Sequence, residues 1–150
     1  MIISASRRTD IPAFFGDWFM NRIRAGYFLQ NNSTGVKQQK IISLMPEDVD
    51  CFVFWSKYPA PFLKNLEPLD KRGYRYYFQY TLNDYPLCFE PHLPILSERT
   101  DVFKRLSEKS ARRGLSGATT PSLSAATTPL STISNVLPVL LSCWRITPKG

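Results

Sequence analysis

Three short polar clusters, each closing an apolar run, hold the residues best suited to chemistry. The first, within "SASRRTD", supplies Ser4, Ser6, Arg7, Arg8, Thr9 and Asp10. The second ends "CFVFWSK" and supplies Trp55, Ser56 and Lys57; the third supplies Gln79, Thr81 and Asn83. Two arginines and a lysine suit an anion, because guanidinium and ammonium groups hold oxyanions through charge-assisted hydrogen bonds. Phosphate, a carboxylate or a nucleic-acid backbone all qualify. Gln79 and Thr81 add neutral hydrogen bonding, and Trp55 a stacking face. The ligand-binding candidates are therefore Arg7, Arg8, Asp10, Lys57, Gln79 and Thr81. Plainer roles stand beside these: Asp10 as a helix N-cap, one arginine paired with it, Lys57 as a solvated loop lysine, Gln79 as an interior amide, and Trp55 as core.

Other chemistries find less support. His92 is the single histidine and lies between prolines, with no carboxylate or cysteine at a telling spacing for a base or a ligand. Cys51, Cys88 and Cys143 are far apart, which disfavours a disulfide framework and a local zinc or iron–sulfur site, and fits reduced thiols in a cytoplasmic protein. There is no Gly-rich phosphate loop, no G-x-S-x-G and no H-E-x-x-H. "MIISASRR" lacks the apolar core of a signal peptide, and "VLPVLL" is too short to span a bilayer. A cytoplasmic location without membrane contact is the expectation.

The clusters must be positioned by the elements that precede and follow them. "MIIS" reads as a strand. Asp10 and Pro12 then open a helix whose apolar face carries Phe15, Phe19 and Ile23, with Trp18 beside them and Gly26 as its stop. "YFLQNNSTGVKQQKIISL" reads as two strands around a turn, and "PEDVD" as one helical turn. "CFVFWSK" is a continuous apolar strand, expected to be buried on both faces. A short helix, "APFLKNLEPLDKRG", closes at Gly73, and "YRYYFQYTLN" is the third principal strand. A proline-rich loop leads to a helix in "ILSERTDVFKRLSEK", burying Val102, Phe103 and Leu106. Strand and helix alternate, with one hairpin inserted. The expected fold is α/β: a partial, barrel-like parallel sheet with a β-hairpin insertion and an irregular C-terminal tail. Ligands of such sheets bind beyond the carboxyl ends of the strands, where the three polar clusters fall.

A fourth strand should follow that last helix, yet the composition changes instead. Residues 1–110 carry 15 Lys and Arg against 12 Asp and Glu, whereas residues 111–150 carry four basic residues, no acid and one aromatic, Trp144. The pI of about 9.5 therefore comes largely from the tail, so the basic balance is weak support for nucleic-acid binding. A Ser/Thr/Pro linker or stalk is one reading of "SGATTPSLSAATTPLST". An adjacent reading frame is the favoured one. Shifted by one base, "SGATTPS" permits W-R-Y-D-P-I, the end of an apolar strand, and "STISNVLPVLLSCW" permits an acid-bearing amphipathic helix. Residues 1–110 are expected to be the N-terminal part of an α/β barrel-like domain, and residues 111–150 an out-of-frame tail.

Three stretches, "IISASRRTDIPAFFGDWFMNRIRAGY", "PEDVDCFVFWSKYPAP" and "LDKRGYRYYFQYTLNDY", together resemble the bacterial and archaeal family known as domain of unknown function 1848. The resemblance covers about residues 2–109. It implies a strand ending in W-R-Y-D-P next, and a C-terminal cysteine cluster like that of radical S-adenosylmethionine enzymes. It thus implies an α/β barrel with a [4Fe–4S] cluster, and S-adenosylmethionine as a further cofactor, for full-length relatives. This chain lacks the cluster cysteines. The expectation is a truncated, inactive fragment of an iron–sulfur enzyme, itself without a cofactor. The alternative is a small basic α/β module that binds nucleic acid or a small anion without catalysis. Uncovered strand edges should leave such a fragment poorly soluble or loosely packed.

Overall fold

The computed structural model describes residues 1–31, 39–86, 88–111 and 122–124. It opens with β1 (Ile2–Ser4), two consecutive helices α1 (Ile11–Phe14) and α2 (Gly16–Ala25), and the strands β2 (Tyr27–Asn31) and β3 (Gln39–Ser43). Then come β4 (Cys51–Ser56), a 3-10 turn (Ala60–Phe62) running into α3 (Leu63–Lys71), β5 (Tyr76–Thr81), α4 (Leu96–Ala111) and β6 (Ser122–Ser124). The principal sheet is parallel throughout, in the order β1-β4-β5-β6, and β2 and β3 form a separate antiparallel hairpin. The α/β fold with a parallel sheet and an inserted hairpin is therefore the one the sequence implies. β6 lies beside β5, where a fourth strand belongs. The turn expected within residues 32–38, and the tail outside Ser122–Ser124, fall beyond the described residues.

Alternation along the strands decides what each face does. Phe52 and Phe54 of β4 and Tyr76, Phe78 and Tyr80 of β5 are almost fully buried. They pack against Phe19 and Ile23 of α2, Leu66 and Leu69 of α3, and Phe103 and Leu106 of α4. Rings lock the layers together: Phe19 meets Phe52 and Phe54 edge-on at 5.2 and 5.3 Å, and Tyr80 meets Phe103 at 5.4 Å. The opposite face differs. Val53 is buried, but Trp55 is 54 % exposed, and Tyr77, Gln79 and Thr81 are half-buried. The expectations that β4 is buried on both faces and that Trp55 lies in the core are corrected here, because among the described residues the helices cover only one face.

The first helix is also two. α1 ends at Phe15, whose φ and ψ of −126° and 26° leave the helical region, and α2 starts afresh at Gly16. The junction is tightly packed: a Cβ on Gly16 would lie 2.9 Å from Asn65 Nδ2 and 3.1 Å from the Phe62 ring. The chain thus passes close against α3 and the 3-10 turn, and Phe15 is left 46 % exposed rather than on the buried face. Gly26 closes α2 in the left-handed region at φ 77°, its N–H donating to the Arg22 and Ile23 carbonyls. Its own carbonyl accepts from Leu44 N at 2.8 Å, which fastens the hairpin to α2. Gly26→Ala is expected to cost about 1–2 kcal/mol, read as a lower midpoint in urea unfolding. An unchanged midpoint would mean the cap is not held in that conformation.

Candidate anion-binding site

Asp10 organises the carboxyl ends of the first two parallel strands. One oxygen accepts from Ala13 N at 3.0 Å, capping α1. The other accepts from Ser56 Oγ at 2.9 Å and from Lys57 N at 3.1 Å. Ser56 Oγ in turn accepts from Tyr58 N at 3.1 Å. The loops after β1 and β4 are thereby tied to one carboxylate. Burial pushes the Asp10 carboxyl above its usual range, outweighing the three hydrogen bonds that favour its charge. Of its two sequence-level roles, the N-cap is realised, and both oxygens are occupied within the chain.

The six candidate residues occupy three places instead of one rim. Lys57 turns to Glu90, with which it forms a close ion pair, and its ammonium lies 5.8 Å from the Tyr85 ring centroid. Its charge is met inside the chain. Gln79 sits beside Trp55 in the β4–β5 register, and Thr81 two residues further on the same face, away from the helices. Arg7 and Arg8 are exposed on the β1–α1 turn and line an open cleft of about 900 Å³. The single converging rim is therefore corrected: Asp10 and Lys57 are engaged with chain partners, and the two arginines face a different space from Gln79 and Thr81.

That cleft runs along β1, the edge strand of the parallel sheet. Phe15 and Trp18 from the helical segments and Phe28 and Leu29 from β2 give it apolar walls. Arg22 joins Arg7 and Arg8 in the lining, and among the described residues no Asp or Glu does. None of the three arginines makes an ion pair among the described residues. Arg22 Nε is buried without a hydrogen-bond partner among the described residues. Three unneutralised guanidinium groups beside aromatic walls suit an anion that carries a planar or apolar part. Arg22 was not among the residues singled out from sequence. Its spacing from Phe15 and Trp18, at i+7 and i+4, puts all three on one side of the helical segment, and that period is the signal that finds it.

A [4Fe–4S] cluster requires several thiolates converging on one point. Cys51 is half-buried at the start of β4, Cys88 is exposed in the loop before α4, and Cys143 lies outside the described residues. Among the described residues, no group of three His, Cys, Asp or Glu side chains could hold a metal ion. The residues described do not fit such a cluster. No helix among them is long and apolar enough to cross a membrane. No curated protein and no solved structure matches the chain. A family model does, over residues 2–132, which takes in the three polar clusters, the whole β4–β5 core and β6: the chain belongs to the family described as Domain of unknown function (DUF1848).

Proposed function

We propose that the chain is an anion-binding part of an iron–sulfur enzyme lineage, acting in the cytoplasm, which in this form grips its ligand without catalysing a reaction. The observation that carries the reading is the open cleft at β1, with Arg7, Arg8 and Arg22 in its lining and no acidic side chain. Ligand binding at the carboxyl end of the first parallel strand fits the general habit of α/β sheets. The iron–sulfur and S-adenosylmethionine chemistry belongs to the resemblance with full-length relatives. The described residues offer no donor set for it, so no step is assigned to this chain.

Titration of the chain with a labelled single-stranded oligonucleotide, and separately with a nucleoside monophosphate, tests the reading. Binding of either is expected, weakening as salt rises, with Arg7→Ala and Arg8→Ala each reducing affinity roughly tenfold or more. Oligonucleotide binding with a steep salt slope favours the nucleic-acid module, and mononucleotide binding favours a small substrate. Neither ligand binding at low salt overturns the proposal. Anaerobic incubation with iron and sulfide is expected to leave the chain without the visible absorption of a cluster; appearance of that absorption overturns the catalytically silent reading.

The change of composition after Ser110 motivates a second statement about the tail, that it is written in a neighbouring frame, although the family match continues to residue 132 in the frame as written. The nucleotide sequence from the Lys104 codon onward decides it. The shifted frame is expected to read through W-R-Y-D-P without interruption, and stop codons there would sink the idea.

A further inference from the structure

The loop after β5 and the start of α4 flank a second, half-open pocket of about 160 Å³, with Asp84, Tyr85, Glu90, Leu96 and Arg99 in its lining. Arg99 is only 4 % exposed, yet it pairs with no carboxylate among the described residues. Its Nη2 donates to the Asn83 carbonyl at 2.8 Å, while Nε and Nη1 have no hydrogen-bond partner there. A buried cation left in this way is costly unless an anion meets it.

A second feature points to the same space. α4 is 16 residues long, and Ile95 and Leu96, at its start, line the cavity. Arg99 N returns to the Ile95 carbonyl at 3.2 Å, which makes Ile95 the N-cap. An isoleucine side chain has no oxygen to cap the amides of the first turn. The positive end of a helix and a guanidinium whose Nε and Nη1 have no partner among the described residues therefore adjoin one small pocket.

We propose that this cavity is an oxyanion site, in which Arg99 and the first turn of α4 take a small carboxylate. Its acidic neighbours set the charge of the ligand. Glu90 is paired with Lys57, Glu98 accepts the Tyr58 hydroxyl at 2.5 Å, and Asp84 is exposed. Together they oppose a dianion and leave a singly charged carboxylate favoured over phosphate. The volume admits a carboxylate with a short substituent and excludes a nucleotide. This site is separate from the arginine cleft and does not depend on it.

Thermal unfolding and calorimetric titration of the whole chain with acetate, propionate and inorganic phosphate, against chloride at equal ionic strength, test it. A saturable rise in Tm with the carboxylates is expected, larger than with phosphate. Arg99→Lys keeps the charge but loses the fork, and is expected to weaken carboxylate binding at least about tenfold. Lys71→Ala, which breaks an exposed ion pair with Glu67 away from both sites, is expected to leave it unchanged. Ile95→Asp covers the case in which Arg99→Lys does not fold. Its carboxylate caps α4 beside Arg99, so Tm should rise and the response to acetate should vanish. Carboxylates that stabilise no more than chloride overturn the proposal. So do wild-type binding by Arg99→Lys, a full acetate response in Ile95→Asp, tighter binding of phosphate, or loss of binding on Lys71→Ala.

Discussion

Phe54→Ala is expected to remove about 3–5 kcal/mol of folding stability, the range for deleting a ring from a close-packed core. Phe54 is fully buried. Its ring lies 5.3 Å from Phe19, 5.0 Å from Phe62 and 5.1 Å from Phe78, so it joins α2, the 3-10 turn and β5 at one point. Phe52 and Tyr76 complete the ring of neighbours at 6.1 and 6.3 Å. Rings of this size cannot shift far to fill a phenyl-sized hole, and the close approach of Gly16 to Phe62 leaves that side no slack. Against a typical domain stability of about 5–15 kcal/mol, the variant should sit near the edge of unfolding at 25 °C. Trp55→Ala, one residue along the same strand, is the control. Its side chain is 54 % exposed, and a loss of about 1 kcal/mol or less is expected. Urea unfolding of both variants is the measurement. Equal losses would mean that the two faces of β4 are equally packed, contrary to the burial pattern.

That contrast also marks how far the fold was legible. Asp10 followed by Pro12, and Gly26 and Gly73 at the helix ends, are local signals with local causes, and the structure realises each one. The apolar run in β4 is legible as a strand because alternation and β-propensity act within the run itself. Whether both its faces are covered is not a property of the run. It depends on which elements return to the sheet, and among the described residues all the helices pack on the Phe52–Phe54 side. The break at Phe15 escapes sequence reasoning for the same reason. The period of Phe15, Phe19 and Ile23 is helical, but the approach of Gly16 to Asn65 and Phe62 comes from residues almost fifty positions away.

The candidate site divides in the same way. Arg7 and Arg8 are legible because a strand end followed by paired arginines places both at the carboxyl edge of the sheet. Lys57 occupies the equivalent place on β4, and its partner Glu90 is 33 residues distant in a proline-rich loop with no periodicity to follow. Arg99 looks like an ordinary helix residue in "SERTD". Only the packing of Tyr80, whose hydroxyl donates to the Arg99 carbonyl at 2.8 Å, and of Asn83 against it buries the guanidinium. Charges are legible in sequence, and their neutralisation is a tertiary fact. The basic excess of the chain therefore says less about ligands than the three arginines left unpaired in the β1 cleft.

Asp10→Ala is expected to cost about 2–4 kcal/mol, since it removes a helix cap and leaves the Lys57 amide and the Ser56 hydroxyl without their acceptor. Asp10→Asn should lose less. An asparagine caps a helix as well as an aspartate, but it has one oxygen where the native site uses two, and its amide would meet the Lys57 N–H donor to donor. The pH dependence separates charge from geometry. Burial raises the Asp10 carboxyl in the folded chain above its ordinary value of 3.8, so the folded state binds the proton more tightly than the unfolded state does. Stability attributable to Asp10 is then greatest below pH 3.8 and is lost as pH rises through the folded value. An asparagine has no such dependence. The deficit of Asp10→Asn relative to the native chain should therefore be larger at pH 4 than at pH 7, measured by urea unfolding at both. A deficit that instead grows toward neutral pH would mean that the hydrogen bonds from Ala13, Ser56 and Lys57 outweigh burial. Asp10 would then be a stabilising anion at the sheet edge, and the field beside Arg7 and Arg8 would be weaker than the cleft requires.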